Sequence, residues 1–487
     1  PQVKHGLNPK PMRINYTKIV ATLGPSSEST TTIEEMIQAG MDTARLNFSH
    51  GTYENFTMLI NNVRKAAKKQ NKTIAILQDL QGPKIRLGIL PEEGIQIKNG
   101  EKIILSTKID KFTENKKETK KIPVQYKALH KEVKKNDKIY IDDGLIQVEV
   151  LKIIGQEILC GVKTKGILFS KKGINAPDSN LSAKSLSPKD LKDLNFGVSV
   201  GVDFVALSFV KSAKDILELR KILKSKGSHA KIIAKIERRE AVDNLEEIIE
   251  ATDGVMVARG DLGIEIKPEQ VPIVQKRIIR LANRYAKPVI TATQVLASMV
   301  ENPRPTRAEI SDAANAVFDN TDAIMLSNES AVGKHPIKAV QTLAKVISAV
   351  ENELKKHLEV LKENRINKNF PEQNPTCLSA CELAVDTKSN KIIVYSEDGF
   401  TTREVAKHRA FVPIIAITPN KHLIQELALL WGVNKSLYKK FTQQEKRGHF
   451  TNTIINHLLK TGEIQRKEKI VVVFNAKKRG SVASLTV

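Results

Sequence analysis

Hydrophobic positions along the chain follow two rhythms. From Lys18 to Leu80, and again from Phe204 to Glu329, short β-branched runs alternate with stretches whose apolar residues recur at helical spacing, the pattern of strand and amphipathic helix in turn. Predicted strands are Lys18–Gly24, Thr43–Ser49 and Thr73–Leu80, with helices over Thr32–Ala39 and Tyr53–Gln70. The rhythm resumes beyond Ser187-Pro188-Lys189-Asp190, with strands at Phe204–Val210, Lys231–Glu237, Gly254–Gly260, Pro288–Thr293 and Ala323–Glu329. Between the blocks, from about Leu87 to Leu181, short alternating runs such as Lys138–Ile141, Leu145–Ile154 and Ile158–Lys163 are broken by Gly, Asn-Gly and Asp-Asp-Gly turns. That is an inserted all-β domain. Without it, about eight strands, each followed by a helix or insertion, occupy roughly 225 residues, the size of a (β/α)8 TIM barrel. After a long helix over Val340–Val350 and a polar stretch, a smaller α/β pattern follows, with a helix at Leu378–Val385 and strands at Lys391–Tyr395, Val412–Ile417 and Lys469–Phe474. The expected division is a leader at 1–15, the α/β barrel at 16–86 and 182–350, an inserted β-barrel lid at 87–181, a linker at 351–375, and an open α/β domain at 376–487.

The stretch Lys231–Gly263 carries chemistry as well as pattern. Period-two alternation turns Lys235 and Glu237 to the same side of their strand. A helix expected over Asp243–Glu250 leads into a buried strand at Gly254–Ala258, closed by Arg259-Gly260-Asp261. Glu237 and Asp261 therefore stand at neighbouring strand ends. Two carboxylates leave most of a coordination sphere open, which suits Mg²⁺ or Mn²⁺ held jointly by protein and substrate oxygens. On this fragment alone, an ordinary βαβ unit with solvated strand-end charges fits equally well. The rest of the chain shifts the balance: Arg45, Asn47, Ser49, Asp79, Thr293, Ser327 and Glu329 also fall at or just past predicted strand ends. That layer is the catalytic face of such a barrel.

Composition changes this picture little. The 487 residues are 41% hydrophobic, enough for several packed cores. A net charge of +24 allows a polyanionic partner, but lysines are spread through surface-type positions and only 5% of residues are aromatic. The charge reads as a solvated surface that favours phosphorylated small molecules, and no nucleic-acid partner is expected. Cys160, Cys377 and Cys381 read as buried thiols in a reducing compartment. No apolar run reaches membrane-spanning length and the polar leader lacks a signal-peptide core, so a cytoplasmic location and no membrane partner are expected.

Nine motifs, in order, are KIVATLGP, ARLNFSHG, QDLQGPKIR, SKKGIN, AKIERRE, VMVARGDLG, TATQ, PRPTRAE and IMLSNESA. In order and approximate spacing they resemble the pyruvate kinase family over nearly the whole chain from about Lys18. The resemblance implies a barrel, a mobile lid inserted after the third strand, a C-terminal regulatory domain and a homotetramer. It also implies Mg²⁺-dependent phosphoryl transfer from phosphoenolpyruvate to ADP, giving pyruvate and ATP. On that basis Glu237 and Asp261 hold the divalent ion, and Lys235 stabilises the phosphoryl group in flight. Arg45, Gly260, Asp261 and Thr293 bind substrate. Asn47, Phe48, Ser49, His50, Arg86 and the lid residue Lys172 bind nucleotide, and Ser327 and Glu329 belong to the network that protonates the enolate.

Three departures matter. Lys84 stands where potassium-dependent members of the family have glutamate, with K⁺ among groups matching Asn47, Ser49, Asp79 and the Leu80 carbonyl. An ammonium there substitutes for the cation, so activity without K⁺ is expected. Asn328 replaces a usual glycine and raises a question of left-handed backbone. In the turn Ser396 to Thr402, Asp398 occupies a phosphate-binding Ser or Thr position of fructose-1,6-bisphosphate-activated members, and the tail Phe474–Val487 lacks their effector-loop pattern. Both argue against that activator and leave Lys477, Lys478 and Arg479 as candidates for another anionic effector. Two other classes remain in competition: a Mg²⁺-enolate lyase or aldolase without nucleotide, and a basic binding or scaffold protein.

Overall fold

The computed structural model describes residues 15–112, 119–356, 374–446, 449–474 and 480–487. Most of the expected leader and linker, and Lys477, Lys478 and Arg479, lie outside the described residues. The chain opens with β1 (Lys18–Thr22), β2 (Met41–Asn47) and β3 (Ala75–Asp79). The insertion then contributes β4 (Ile95–Ile97), β5 (Lys102–Ser106), β6 (Lys121–Pro123), β7 (Lys138–Ile141), β8 (Ile146–Ile154), β9 (Glu157–Val162), β10 (Gly166–Leu168) and β11 (Ile174–Asn175). Five more strands follow: β12 (Phe204–Leu207), β13 (Lys231–Ile236), β14 (Gly254–Ala258), β15 (Val289–Ala292) and β16 (Ala323–Leu326). Together with β1, β2 and β3 they form a closed, all-parallel barrel ordered β1-β16-β15-β14-β13-β12-β3-β2.

The barrel's two faces explain the continuous apolar strands. Outward residues such as Ile19, Ile76, Ile232 and Val255 pack against the surrounding helices. Inward residues Val20, Leu77, Phe204, Ile233, Met256, Ile290 and Met325 fill the interior, so the barrel is a packed core and not a pore. Helix starts are encoded locally. Ser187 with Asp190, and Thr306 with Glu309, form capping boxes that satisfy exposed amide donors; the latter accounts for much of the PRPTRAE motif.

Within the insertion, β11-β7-β8-β9-β5-β6 form one sheet and β10-β4 a second, around a core that includes Ile103, Leu105, Val148 and Ile158. The region expected to be a β-barrel is thus two sheets, with one helical turn at Leu129–Glu132. The C-terminal α/β unit is a five-stranded sheet of β17 (Lys391–Tyr395), β18 (Ile414–Thr418), β19 (Val433–Tyr438), β20 (Lys469–Phe474) and β21 (Ser481–Thr486), ordered β19-β18-β17-β20-β21. β19 and β21 have no counterpart in the hydrophobic pattern, because they are polar edge strands.

Several predicted strands end earlier than the apolar pattern suggests. Phe204–Val210 stops at Leu207, Pro288–Thr293 at Ala292 and Ala323–Glu329 at Leu326. The residues beyond leave the ladder to build the barrel's upper rim. The helix expected over Asp243–Glu250 is split at Asn244 into Arg239–Asp243 and Leu245–Ala251.

The barrel's lower end is closed by the C-terminal unit. Ala428 and Leu429, the latter fully buried, join the inward cluster of the strands. Around this plug the Lys18 ammonium donates to the Val433 carbonyl at 2.7 Å, and Arg409 pairs with Asp322 at 3.0 Å. Trp431 stacks on Tyr16 and donates its backbone N–H to Asp322. Leu429→Ala removes the plug from a closed apolar space, and a cost of about 2–5 kcal/mol is expected. A clear fall in the barrel's thermal midpoint by circular dichroism would show it, and an unchanged midpoint would not.

Candidate active site

The upper rim of the barrel gathers the charged strand ends. The register of β2 with β3 sets Asn47 opposite Asp79, and β1 with β2 sets Thr22 opposite Arg45. Arg45 donates to Asp79 through Nε at 2.8 Å and to the Thr22 hydroxyl through a terminal nitrogen at 2.9 Å. Lys235 is the centre of the group. Its Nζ lies 3.2 Å from Asp79 Oδ1 and 2.8 Å from Glu237 Oε1, and it donates to the Ser208 hydroxyl at 2.7 Å.

Electrostatics follow from burial and pairing. Burial opposes the Lys235 charge, but Asp79 and Glu237 outweigh it and raise its pKa above the ordinary lysine value. At Asp79 burial likewise favours the neutral acid, and Lys235 and Arg45 reverse that and hold its pKa low. Glu237 goes the other way: burial raises its pKa against the pull of Lys235, and the nearby Asp261 charge adds to the rise. Glu237 and Asp261 are thus two carboxylates near enough for the charge of one to oppose that of the other. Asp261 begins the helix Arg259–Glu265, and its only ion-pair partner among the described residues is Lys84, at 3.8 Å. Among the described residues no cluster of three or more His, Cys, Asp or Glu forms a complete metal cage.

Strained backbone holds this arrangement. Phe209 has φ +56°, which aims its N–H at Glu237 Oε2, 2.9 Å away. Thr293, a β-branched residue, has φ +67°, and its hydroxyl accepts from the Gly260 N–H at 2.8 Å. Such conformations persist only when neighbours impose them, and they cluster at functional sites. Arg259 supplies that constraint by donating to the Ala292 and Thr293 carbonyls and pairing with Asp312.

The other sequence-predicted residues divide. Glu329 is buried and accepts from the backbone N–H groups of Ser327 and Leu296, so Ser327 and Glu329 form one network. Asn328 is helical, at the start of Asn328–Ala331, and the anticipated left-handed requirement does not arise. Asn47 accepts from the Ser49 N–H, and His50 is exposed. The Phe48 side chain is core, stacked on Phe56, which leaves only backbone for a ligand, and its carbonyl already accepts from Lys189. The Leu80 carbonyl accepts from Ser208. On the lid side, Lys172 pairs with Asp142 at 2.8 Å, and Arg86 donates to the Lys171 carbonyl. Lys84 lies 3.3 Å from Asp143 of the lid and 3.8 Å from Asp261.

Pattern reading missed Ser208, Phe209 and Arg259. The positive φ of Phe209 leaves no trace in hydrophobicity, and Arg259 acts through carbonyls that periodicity does not locate. Replacement of Lys235 tests the electrostatics. Asp79, held low in the fold, contributes stability above the ordinary carboxylate pKa of about 4 and loses it as pH falls through its folded value. Lys235→Met withdraws one of its two cations, so the folded pKa rises and acid unfolding followed by circular dichroism is expected to begin at higher pH. An unchanged acid limb would mean that Arg45 alone sets the Asp79 charge.

Comparison with known proteins agrees with this geometry. The family description "Pyruvate kinase, barrel domain" matches residues 14–340, and "Pyruvate kinase, alpha/beta domain" matches 374–487. A pyruvate kinase of Clostridium acetobutylicum is 40% identical over 457 residues, covering 94% of this chain and 95% of its own length. One from Geobacillus stearothermophilus is 44% identical over 420 residues, covering 86% and 70% respectively. Another from Staphylococcus saprophyticus is 43% identical over 420 residues, covering 86% and 71%.

Proposed function

Because the chain belongs to the pyruvate kinase family, we propose how its own residues carry out that family's reaction. The reaction is phosphoryl transfer from phosphoenolpyruvate to ADP, giving pyruvate and ATP at the end of glycolysis, and the family performs it with Mg²⁺. Membership removes the lyase and scaffold alternatives.

Glu237 and Asp261 fit the divalent ion. The raised pKa of Glu237 reflects burial and its proximity to Asp261, a repulsion that a dication relieves, and two carboxylates leave room for substrate oxygens and water. When bound, the ion neutralises the phosphate and carboxylate oxygens that would otherwise repel ADP. Mn²⁺ has the same ligand preferences. Lys235 carries the catalytic reading. Its ammonium is fixed by Asp79, Glu237 and Ser208 before substrate arrives, so it meets developing phosphoryl charge without reorganising. Arg45, fixed by Asp79 and Thr22, binds a substrate oxyanion. Gly260 and Asp261 contact the substrate through backbone, and Thr293 binds it near the enolate face. Ser327 and Glu329 hold the polar network through which a proton reaches the enolate. Asn47, Phe48, Ser49 and His50 contact the nucleotide with Arg86 and Lys172, Phe48 through its backbone.

Lys84 makes K⁺ dispensable. Its ammonium places a fixed positive charge against Asp261, and two oxygens expected around a K⁺ ion, those of Leu80 and Asn47, already accept hydrogen bonds within the chain. Turnover in potassium-free buffer is expected to equal that with KCl, and Lys84→Glu to lose activity that KCl restores. Strict dependence of the parent on K⁺ would overturn this. The metal assignment has its own test: Mg²⁺ is expected to raise the thermal midpoint of the parent by mass action but not that of Glu237→Gln. An equal rise in both would exclude Glu237 as a ligand.

The C-terminal unit is the regulatory domain in this reading. Fructose 1,6-bisphosphate is not its activator, because Asp398 accepts the Phe400 N–H at 3.0 Å and so fills the anion position at that helix start with the chain's own carboxylate. The enzyme works in the cytoplasm as a homotetramer. Exposed Ile273, Ile310 and Phe318 on two successive barrel helices supply apolar surface for subunit contact.

A further inference from the structure

One of the barrel elements that the lid meets is the helix Arg259–Glu265, which carries Gly260 and Asp261. Three contacts make the join. Lys84, at the root of the lid, bridges Asp143 of the β7–β8 turn and Asp261. Gly144 of the same turn lies over the helix, since a Cβ built on it meets Ile264 at 3.6 Å. The third contact is buried: Asn175 of β11 donates its side-chain amide to Glu265 Oε1 at 2.9 Å. Between lid and barrel runs a cleft of about 730 Å³, lined by Tyr140 and Asp178 of the lid, Glu265 of the helix, and Arg239 and Val274 of neighbouring barrel helices.

The Asn175–Glu265 contact is costly and so needs a reason. Asn175 is 7% exposed and Glu265 8% exposed. Glu265 Oε2 is buried and meets no hydrogen-bond donor among the described residues. A largely buried carboxyl whose one side-chain hydrogen bond among the described residues comes from a neutral amide, with the Arg238 charge nearby, gains little stability from that contact. It does, however, tie the last residue of the lid's sheet to the last residue of the helix that begins at the metal side of the active site.

We propose that Glu265 is a positioning residue: through Asn175 it latches the lid to the helix Arg259–Glu265, so that lid placement and Asp261 placement are one variable. The inference rests on the assignment of Asp261 as a metal ligand. Asn175 follows the lid through β11, which pairs with β7, and Glu265 lies one helical turn from Asp261, so movement at one end of the latch is felt at the other.

The test combines turnover with Mn²⁺ binding alone, read by electron paramagnetic resonance without substrate. Glu265→Ala and Asn175→Ala are each expected to weaken Mn²⁺ binding and lower kcat by about tenfold, the effect of losing one buried hydrogen bond. The double variant is expected to be no worse than either single one. Glu265→Gln keeps an acceptor oxygen for Asn175 and is expected to stay within about twofold of the parent. Should Glu265→Ala fail to fold, Asn175→Ala and Glu265→Gln still carry the comparison. Parent-like Mn²⁺ binding in Asn175→Ala, multiplying effects in the double variant, or equal damage in Glu265→Gln and Glu265→Ala would each overturn the latch. Asp261→Asn separates the two claims: if it alone loses Mn²⁺, the latch falls and the metal assignment stands, and if it binds Mn²⁺ like the parent, both fall.

Discussion

Everything at the active site depends on a lysine held between two buried carboxylates. Asp79 and Glu237 face Lys235 at 3.2 and 2.8 Å and hold its charge in place, and its ammonium in turn offsets the burial of both carboxylates. The arrangement gains little stability over apolar residues of the same size. What it does achieve is a positive charge fixed at the barrel's upper rim, and the proposed role of Lys235 in phosphoryl transfer rests on that. Arg45, bound to the other oxygen of Asp79, belongs to the same unit.

Building outward from that pair explains the rest of the architecture. The parallel barrel delivers Asp79, Lys235 and Asp261 to one rim because all its strands end there. The lid enters at the root next to Lys84, which faces both Asp143 of the lid and Asp261 of the barrel, so the inserted element meets the rim at Asp261. At the opposite end Leu429 plugs the barrel and Arg409 with Asp322 seals it. The C-terminal unit therefore completes the barrel's core as well as packing beside it.

Much of this was legible in the sequence. Alternation of strand and helix gave the barrel, and period-two spacing put Lys235 and Glu237 on one side, as their contact bears out. The motifs carried the family, and with it the reaction. What was not legible is instructive. Strand ends were overrun by one to three residues, because apolar pattern cannot tell a ladder residue from one such as Phe209, which turns to a positive φ to serve Glu237. The polar edge strands β19 and β21 carry no apolar signal. The contacts of Lys84 with Asp143 and Asp261 were not legible either, since a long side chain's direction depends on a lid whose placement no local pattern records. The plug at Leu429 and the Asn175–Glu265 contact join residues far apart in the chain, which neither periodicity nor motif spacing pairs.

The central claim is that Lys235 acts on the transferring phosphoryl group and is not merely a partner for two carboxylates. Single-turnover phosphoryl transfer, measured by rapid quench with phosphoenolpyruvate, ADP and Mg²⁺ already saturating, tests it directly in Lys235→Met. A rate reduced on the order of 10²-fold or more, with phosphoenolpyruvate still bound, is the predicted result. A rate within a few-fold of the parent would contradict the account and leave Lys235 a structural residue.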